Sequence, residues 1–90
     1  MQILFFATIR EITKEKEMRW TAPAPTLGDL LRDLSARYGP AFQRWVLEGG
    51  ELGKVSLILI NGQDARHRGG INAPLTPDDT VAIFPAIAGG

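Results

Sequence analysis

The sequence predicts an α+β fold in which one amphipathic helix lies across an apolar sheet, and three observations predict it. The stretches 2–9 and 80–84, near the two ends, are apolar and rich in β-prone residues. Between them Leu27, Leu30, Leu31 and Leu34 recur at helical spacing. The run Leu57-Ile-Leu-Ile60 is followed at once by Asn61-Gly62, a strong signal for a tight hairpin. Strands before and after a single strong helix make a layered fold in which the helix covers one face of the sheet.

Taken in order, residues 2–9 read as a largely buried strand. Residues 11–17 hold Glu11, Lys14, Glu15, Lys16 and Glu17 and read as a solvated turn. Met18, Trp20 and Ala22 alternate with Arg19 and Thr21, which suggests a second strand in an antiparallel hairpin with the first. The Ala-Pro-Ala-Pro of 22–25 ends it with a stiff link. Thr26 is placed to cap the helix, with Asp29 three residues on, and Tyr38 continues the leucine stripe. Gly39 suits the position after a helix end, and Pro40 can open a short second helix. Phe42, Trp45 and Val46 share a face of that second helix and read as satellite core rather than a ligand cage, and Gly49-Gly50 closes it.

Residues 57–60 read as a central strand and 63–66 as a returning edge segment. Gly69-Gly70, Pro74 and 76–79 mark irregular connections. In the final strand Val81 and Ile83 alternate with Ala82 and Phe84, and Pro85, with no N–H, is expected to stop the ladder. The first and last strands, both apolar, are expected side by side at the sheet centre. The leucine stripe is expected to pack on Ile3, Phe5, Leu57 or Leu59.

Composition narrows the function. Ninety residues make one domain with one core. Ten basic and ten acidic residues cancel, which argues against binding held mainly by nucleic-acid phosphates. Cysteine is absent, so thiol chemistry, disulfides and cysteine-ligated zinc are excluded. No stretch approaches the roughly 18 apolar residues of a membrane span. The N-terminal apolar run lacks a basic flank and reads as a strand rather than a signal peptide, so the cytoplasm is the expected location. His67, the one histidine, lies between two arginines with no partner motif, which is weak support for catalysis.

The last residues, free of acids, bases and metal ligands, run Ala86, Ile87, Ala88, Gly89, Gly90. The reactive group they offer is the α-carboxylate of Gly90. Two glycines without Cβ let an enzyme's backbone close around them. From the residues alone this segment suits either a frayed end or a tail that is itself a substrate. Phe84 and Ile87 flank Pro85 near the tail exit and suit partner binding, with a return of Phe84 into the core as the alternative.

The ending Val81-Ala-Ile-Phe-Pro-Ala-Ile-Ala-Gly-Gly90 resembles that of the MoaD/ThiS ubiquitin-like sulfur carriers, in particular the small subunit of molybdopterin synthase. Leu4-Phe-Phe-Ala-Thr-Ile-Arg-Glu11, Thr26-Leu-Gly-Asp-Leu-Leu31, Ile60-Asn-Gly62 and Leu75-Thr-Pro-Asp-Asp-Thr-Val81 are similar to that family's opening strand, helix start and later turns. Ala86 stands where the molybdopterin subunit commonly has a second proline, a feature shared with carriers that serve cysteine synthesis. The resemblance implies a β-grasp fold: a mixed sheet of four to five strands, one main helix and a short second one. It implies a domain over 1–85 and a flexible tail over 86–90.

It also implies a carrier rather than an enzyme. An ATP-dependent, E1-like adenylating enzyme would activate the Gly90 carboxylate, and a sulfur donor would convert the acyl-adenylate to a thiocarboxylate. Adenylation supplies the leaving group that a carboxylate lacks. Gly89 and Ala88 would thread the enzyme's channel, and Phe84, Pro85 and Ile87 would meet the partner. No cofactor or metal is expected on the chain itself, ATP being used by the activating enzyme. The sulfur would pass to a molybdopterin synthase large subunit. Other thiolation pathways, covalent modification of lysines, and a plain β-grasp interaction module stand as alternatives.

Overall fold

A computed structural model describes residues 1–86. The chain runs β1 (Gln2–Phe5), α1 (Ala7–Thr13), β2 (Glu17–Arg19), α2 (Leu27–Tyr38), α3 (Pro40–Val46), β3 (Leu47–Glu48), β4 (Glu51–Leu52), β5 (Ser56–Ile60), β6 (Gln63–Asp64) and β7 (Thr80–Pro85). Two 3₁₀ turns, Ala65–Arg68 and Gly70–Asn72, lie between β6 and β7. The main sheet has the order β2-β1-β7-β5-β6, and β3 and β4 form a separate hairpin. β1 and β7 pair in parallel, Ile3 opposite Val81 and Phe5 opposite Ile83. The other neighbours pair antiparallel, so the sheet is mixed and its last strand is its middle one.

Alternation along the strands decides what the helices cover. Ile3, Phe5, Ile58, Ile60, Val81 and Ile83 point to one face and are fully buried with Leu27, Leu30, Leu31 and Leu34 of α2. Leu57 and Leu59 therefore point the other way and stay half-buried. The expected packing of the leucine stripe on those two is corrected to Ile58 and Ile60, one residue out of phase. An unbroken apolar run gave no parity from which to choose. β5 is likewise second from the edge, beside β7, rather than central.

Residues 6–17 also depart from expectation. The first strand stops at Phe5, and Ala7 turns the chain out of the sheet with a φ of 49°. That left-handed conformation costs a non-glycine residue about 1–2 kcal/mol. Ile9 and Thr13 are then buried one helical turn apart, with Ile12 packed beside them. Glu11 and Lys14 take the solvent side. The second strand is correspondingly short, and Trp20 follows it in a loop.

α2 begins as its sequence requires. The Asp29 N–H donates to Thr26 Oγ1 at 3.2 Å, and the Thr26 hydroxyl donates back to the Asp29 carboxylate at 2.9 Å. These bonds, with one from Arg32, hold the Asp29 carboxyl below its usual range. Gly39, with a φ of 94°, ends α2 and starts α3 in a conformation only glycine takes without strain. Phe42 and Val46 of α3 are fully buried, so they are core rather than satellite, with half-buried Trp45 packed against them. α3 ends at Val46, and Gly49-Gly50 forms the turn of the β3–β4 hairpin instead of closing the helix. Asn61 and Gly62, at φ 50° and 84°, make the two-residue turn from β5 to β6.

Two predictions follow from these contacts. Leu31→Ala empties a fully buried site between α2 and the sheet. It is expected to cost about 2–5 kcal/mol in urea unfolding, and an unchanged midpoint would refute the packing. Asp79 ties the loop before β7 to the β5–β6 turn, accepting from Asn61 Nδ2 at 2.9 Å and from the Thr76 N–H at 2.8 Å. Slight burial pushes its carboxyl up, but these hydrogen bonds outweigh that and hold it below the usual value of 3.8. The ionised form thus stabilises the fold above that value, and the contribution is lost as pH falls through the lower folded pKa. Asp79→Asn is expected to flatten the decline in stability below about pH 5, read from urea unfolding at several pH values.

Candidate functional site

The site is built on the exit of β7. Its hydrogen bonds divide by parity. On one side the Asn61 N–H donates to Thr80 O at 2.8 Å and the Ala86 N–H donates to Val55 O at 2.7 Å, so even-numbered residues face β5. On the other side the Phe6 N–H donates to Ile83 O at 3.1 Å, so odd-numbered residues face β1. Pro85 is odd, and β1 has ended at Phe5 where a donor from position 85 would need a partner. The missing N–H therefore costs nothing here. Pro85 does not stop the ladder: it pairs with Ser56, and Ala86 adds a further bond beyond it.

Around this exit the sheet face away from the helices is apolar. Leu4, Ala82 and Leu59 lie in register across β1, β7 and β5, and Leu57 lies opposite Phe84. All five are half-buried. Phe84 stacks on Phe6 with ring centroids 4.2 Å apart and planes 6° from parallel. Such a pair contributes about 0.5–1.5 kcal/mol beyond its buried area. The Arg10 guanidinium lies 5.9 Å from the Phe6 centroid, and its Nε donates to Phe5 O at 3.2 Å. Val55, 47% exposed, borders the same exit. The arrangement offers a flat apolar surface with a cation at its rim, which suits docking against a partner that carries apolar side chains and an acid.

Phe84 and Pro85 are the last two residues of β7. Phe84 neither returns to the core nor stands alone, because Phe6 shares its exposure. Ile87, Ala88, Gly89 and Gly90 lie outside the described residues. Sequence reasoning missed Phe6, Arg10, Leu57 and Leu59 as members of this face. The signal for α1 was present in Ile9, Ile12 and Thr13 at helical spacing, and with it Phe6 becomes the last residue before the chain leaves the sheet.

Other features lie apart from this exit. A cleft of about 570 Å³ lined by Met1, Trp20, Pro23, Pro25, Leu75 and Pro77 opens at the opposite end of β1 and β7. His67 is exposed on a 3₁₀ turn. Among the described residues no group of three or more His, Asp or Glu side chains could hold a metal ion, and no helix is long and apolar enough to cross a membrane.

A helix across a mixed five-stranded sheet, with the central strand leading into the terminal segment, defines a ubiquitin-like β-grasp protein. The chain belongs to the ThiS family of ubiquitin-like sulfur carriers, whose pattern matches residues 3–90. It is 36% identical over 91 aligned residues to small archaeal modifier protein 3 of Haloferax volcanii, spanning 100% of this chain and 98% of that one. It is 30% identical over 93 aligned residues to the molybdopterin synthase sulfur carrier subunit of Escherichia coli, spanning 100% and 99%. Among solved structures, the Amycolatopsis orientalis BexX/CysO complex contains a chain that superposes with a TM-score of 0.82 at 27% identity, covering 99% of this chain and 98% of that one.

Phe84→Ala removes one ring of the stacked pair without touching the core. It is expected to leave the unfolding cooperative while weakening partner binding by about 2 kcal/mol, roughly thirtyfold in Kd. Calorimetric titration with an activating enzyme or a sulfur-accepting subunit measures this, and equal affinity would remove Phe84 from the docking surface.

Proposed function

We propose that this protein is a sulfur carrier whose Gly90 carboxylate is adenylated and then converted to a thiocarboxylate. The observation that carries the reading is the continuity between the central strand and the terminal segment. β7 is held on both sides through Ile83 and on its β5 side through Ala86, beside an apolar face fit for docking. The Gly-Gly ending falls within the family match, which runs to residue 90.

The chemistry divides between the chain and its partners. A carboxylate oxygen of Gly90 attacks the α-phosphorus of ATP held by an E1-like enzyme, and pyrophosphate leaves. A persulfide on a donor protein then attacks the acyl carbon, and AMP leaves as the C–S bond forms; a thiol cleaves the S–S bond of the resulting acyl disulfide, forming a disulfide with the donor's inner sulfur and releasing the Gly90 thiocarboxylate. Gly89 and Ala88 pass through the enzyme's channel because their side chains are minimal. The leucines and phenylalanines of the open face hold the body still while the carboxylate reacts, which turns an encounter into an oriented reaction.

The acceptor we assign is a molybdopterin synthase large subunit. The support is the alignment with the Escherichia coli sulfur carrier subunit, which runs the full length of this chain and 99% of the other. A second reading, covalent attachment to lysines of other proteins, is favoured by the full-length similarity to the Haloferax modifier. Both readings use the same activated Gly90, and their products differ.

Intact-protein mass spectrometry after incubation with activating enzyme, ATP and a sulfur donor is expected to show one oxygen replaced by sulfur. Deleting Gly90 retracts the carboxylate by about 3.3–3.6 Å and is expected to abolish loading without changing stability. Loading of the shortened chain at the wild-type rate would overturn the mechanism. Conjugates of higher mass in cell extract, without free thiocarboxylate, would favour the second reading.

A further inference from the structure

The bond from Ala86 to Val55 O depends on how the segment 53–55, between β4 and β5, is held. Gly53 fixes one side. Its N–H donates to Val46 O at 2.9 Å, and a Cβ at Gly53 would stand 2.2 Å from Trp45 O, so only glycine permits this approach to α3. Arg66, from the 3₁₀ turn Ala65–Arg68, fixes the other. Its Nη2 donates to Gly53 O at 2.8 Å and its Nη1 to Ser56 O at 3.1 Å. Ser56 adds its own hydroxyl to Gly53 O at 3.0 Å. Both Arg66 bonds are charge-assisted, and a planar guanidinium sets the separation of the two carbonyls it spans. Val55 lies between those two residues in the chain, and its own carbonyl accepts from Ala86.

We infer that Arg66 is a positioning residue for sulfur loading: by clamping Gly53 and Ser56 it fixes the Val55 carbonyl, and through it the direction in which the chain leaves Ala86. The inference rests on the carrier reading. Four residues of the sequence follow Ala86, a reach of at most about 14 Å. The direction set at Ala86 therefore bears on where, within that reach, the Gly90 carboxylate can be placed, and a reacting carboxylate is sensitive to its placement. A proline at position 86 would have no N–H for this bond and would set the direction through its fixed φ instead. With alanine there, the direction depends on the clamp.

The test compares wild type, Arg66→Met, Ala86→Pro and the double variant. Methionine keeps much of the side-chain stem and removes the donors. By NMR, the Ala86 amide is expected to exchange about tenfold faster in Arg66→Met, while the Ile83 amide in the sheet keeps its rate. Unchanged Ala86 exchange would overturn the inference. In loading assays Arg66→Met is expected to lower kcat/KM about fivefold, the worth of one hydrogen bond, when residue 86 is alanine. The same substitution is expected to have little effect when residue 86 is proline. An equal loss in both backgrounds would show general weakening of the fold and would also overturn the inference. If the wild type takes up no sulfur, the carrier reading fails, and the Ala86 exchange rates still decide whether Arg66 holds the root.

Discussion

The structure depends on the two-sided pairing of β7. Its odd residues bond toward β1 and its even residues toward β5. The same alternation sends Val81 and Ile83 beneath the helices and leaves Ala82 and Phe84 on the open face. Parallel pairing with β1 cannot be closed by a tight turn, so the two ends of the described chain meet only when everything between them has folded. The terminal segment is therefore the continuation of the most enclosed strand. Its root inherits that strand's rigidity, and Pro85 is tolerated there because β1 has already turned away.

From this constraint the division of labour follows. The covered face of the sheet stabilises the body through α2, α3 and the aromatic contacts of Phe5 with Tyr38 and Phe42. The open face keeps Leu4, Leu57, Leu59 and Phe84 half-buried without a large exposed patch, and it is the surface that the carrier reading assigns to a partner. Phe6 and Arg10 belong to both tasks. They lie where β1 becomes α1, so the same departure from the sheet that removes a partner from Pro85 supplies the stacked ring and the cation beside it.

Much of this was legible in the sequence, for physical reasons that differ by element. The cap at Thr26, the leucine stripe and the Asn61-Gly62 turn are local signals, and each formed as written. The adjacency of the first and last strands followed from their apolar character. Residues 6–17 were misread because Ile9 sits directly after an apolar strand, and a turn at Ala7 with positive φ has no glycine to announce it. The facing of Leu57 and Leu59 could not be read because an apolar run has no visible phase. The Arg66 clamp joins residues 10 and 13 positions apart through backbone carbonyls, which leave no trace in residue type. The glycine tail was visible as composition, and its chemistry came through the resemblance to a family rather than through any reactive side chain.

The central claim is that the terminal carboxylate, presented by a fixed β7, is the group that reacts. It is tested most directly by changing that group and nothing else. Semisynthesis can supply the chain with Gly90 as a carboxamide, which keeps the length and shape of the ending. ATP–pyrophosphate exchange by the activating enzyme is then measured with each form. The account predicts exchange that depends on the carboxylate form and is absent with the carboxamide, although the two forms compete for the same enzyme surface. Exchange at equal rates with both would contradict it, because activation would then proceed without the Gly90 carboxylate.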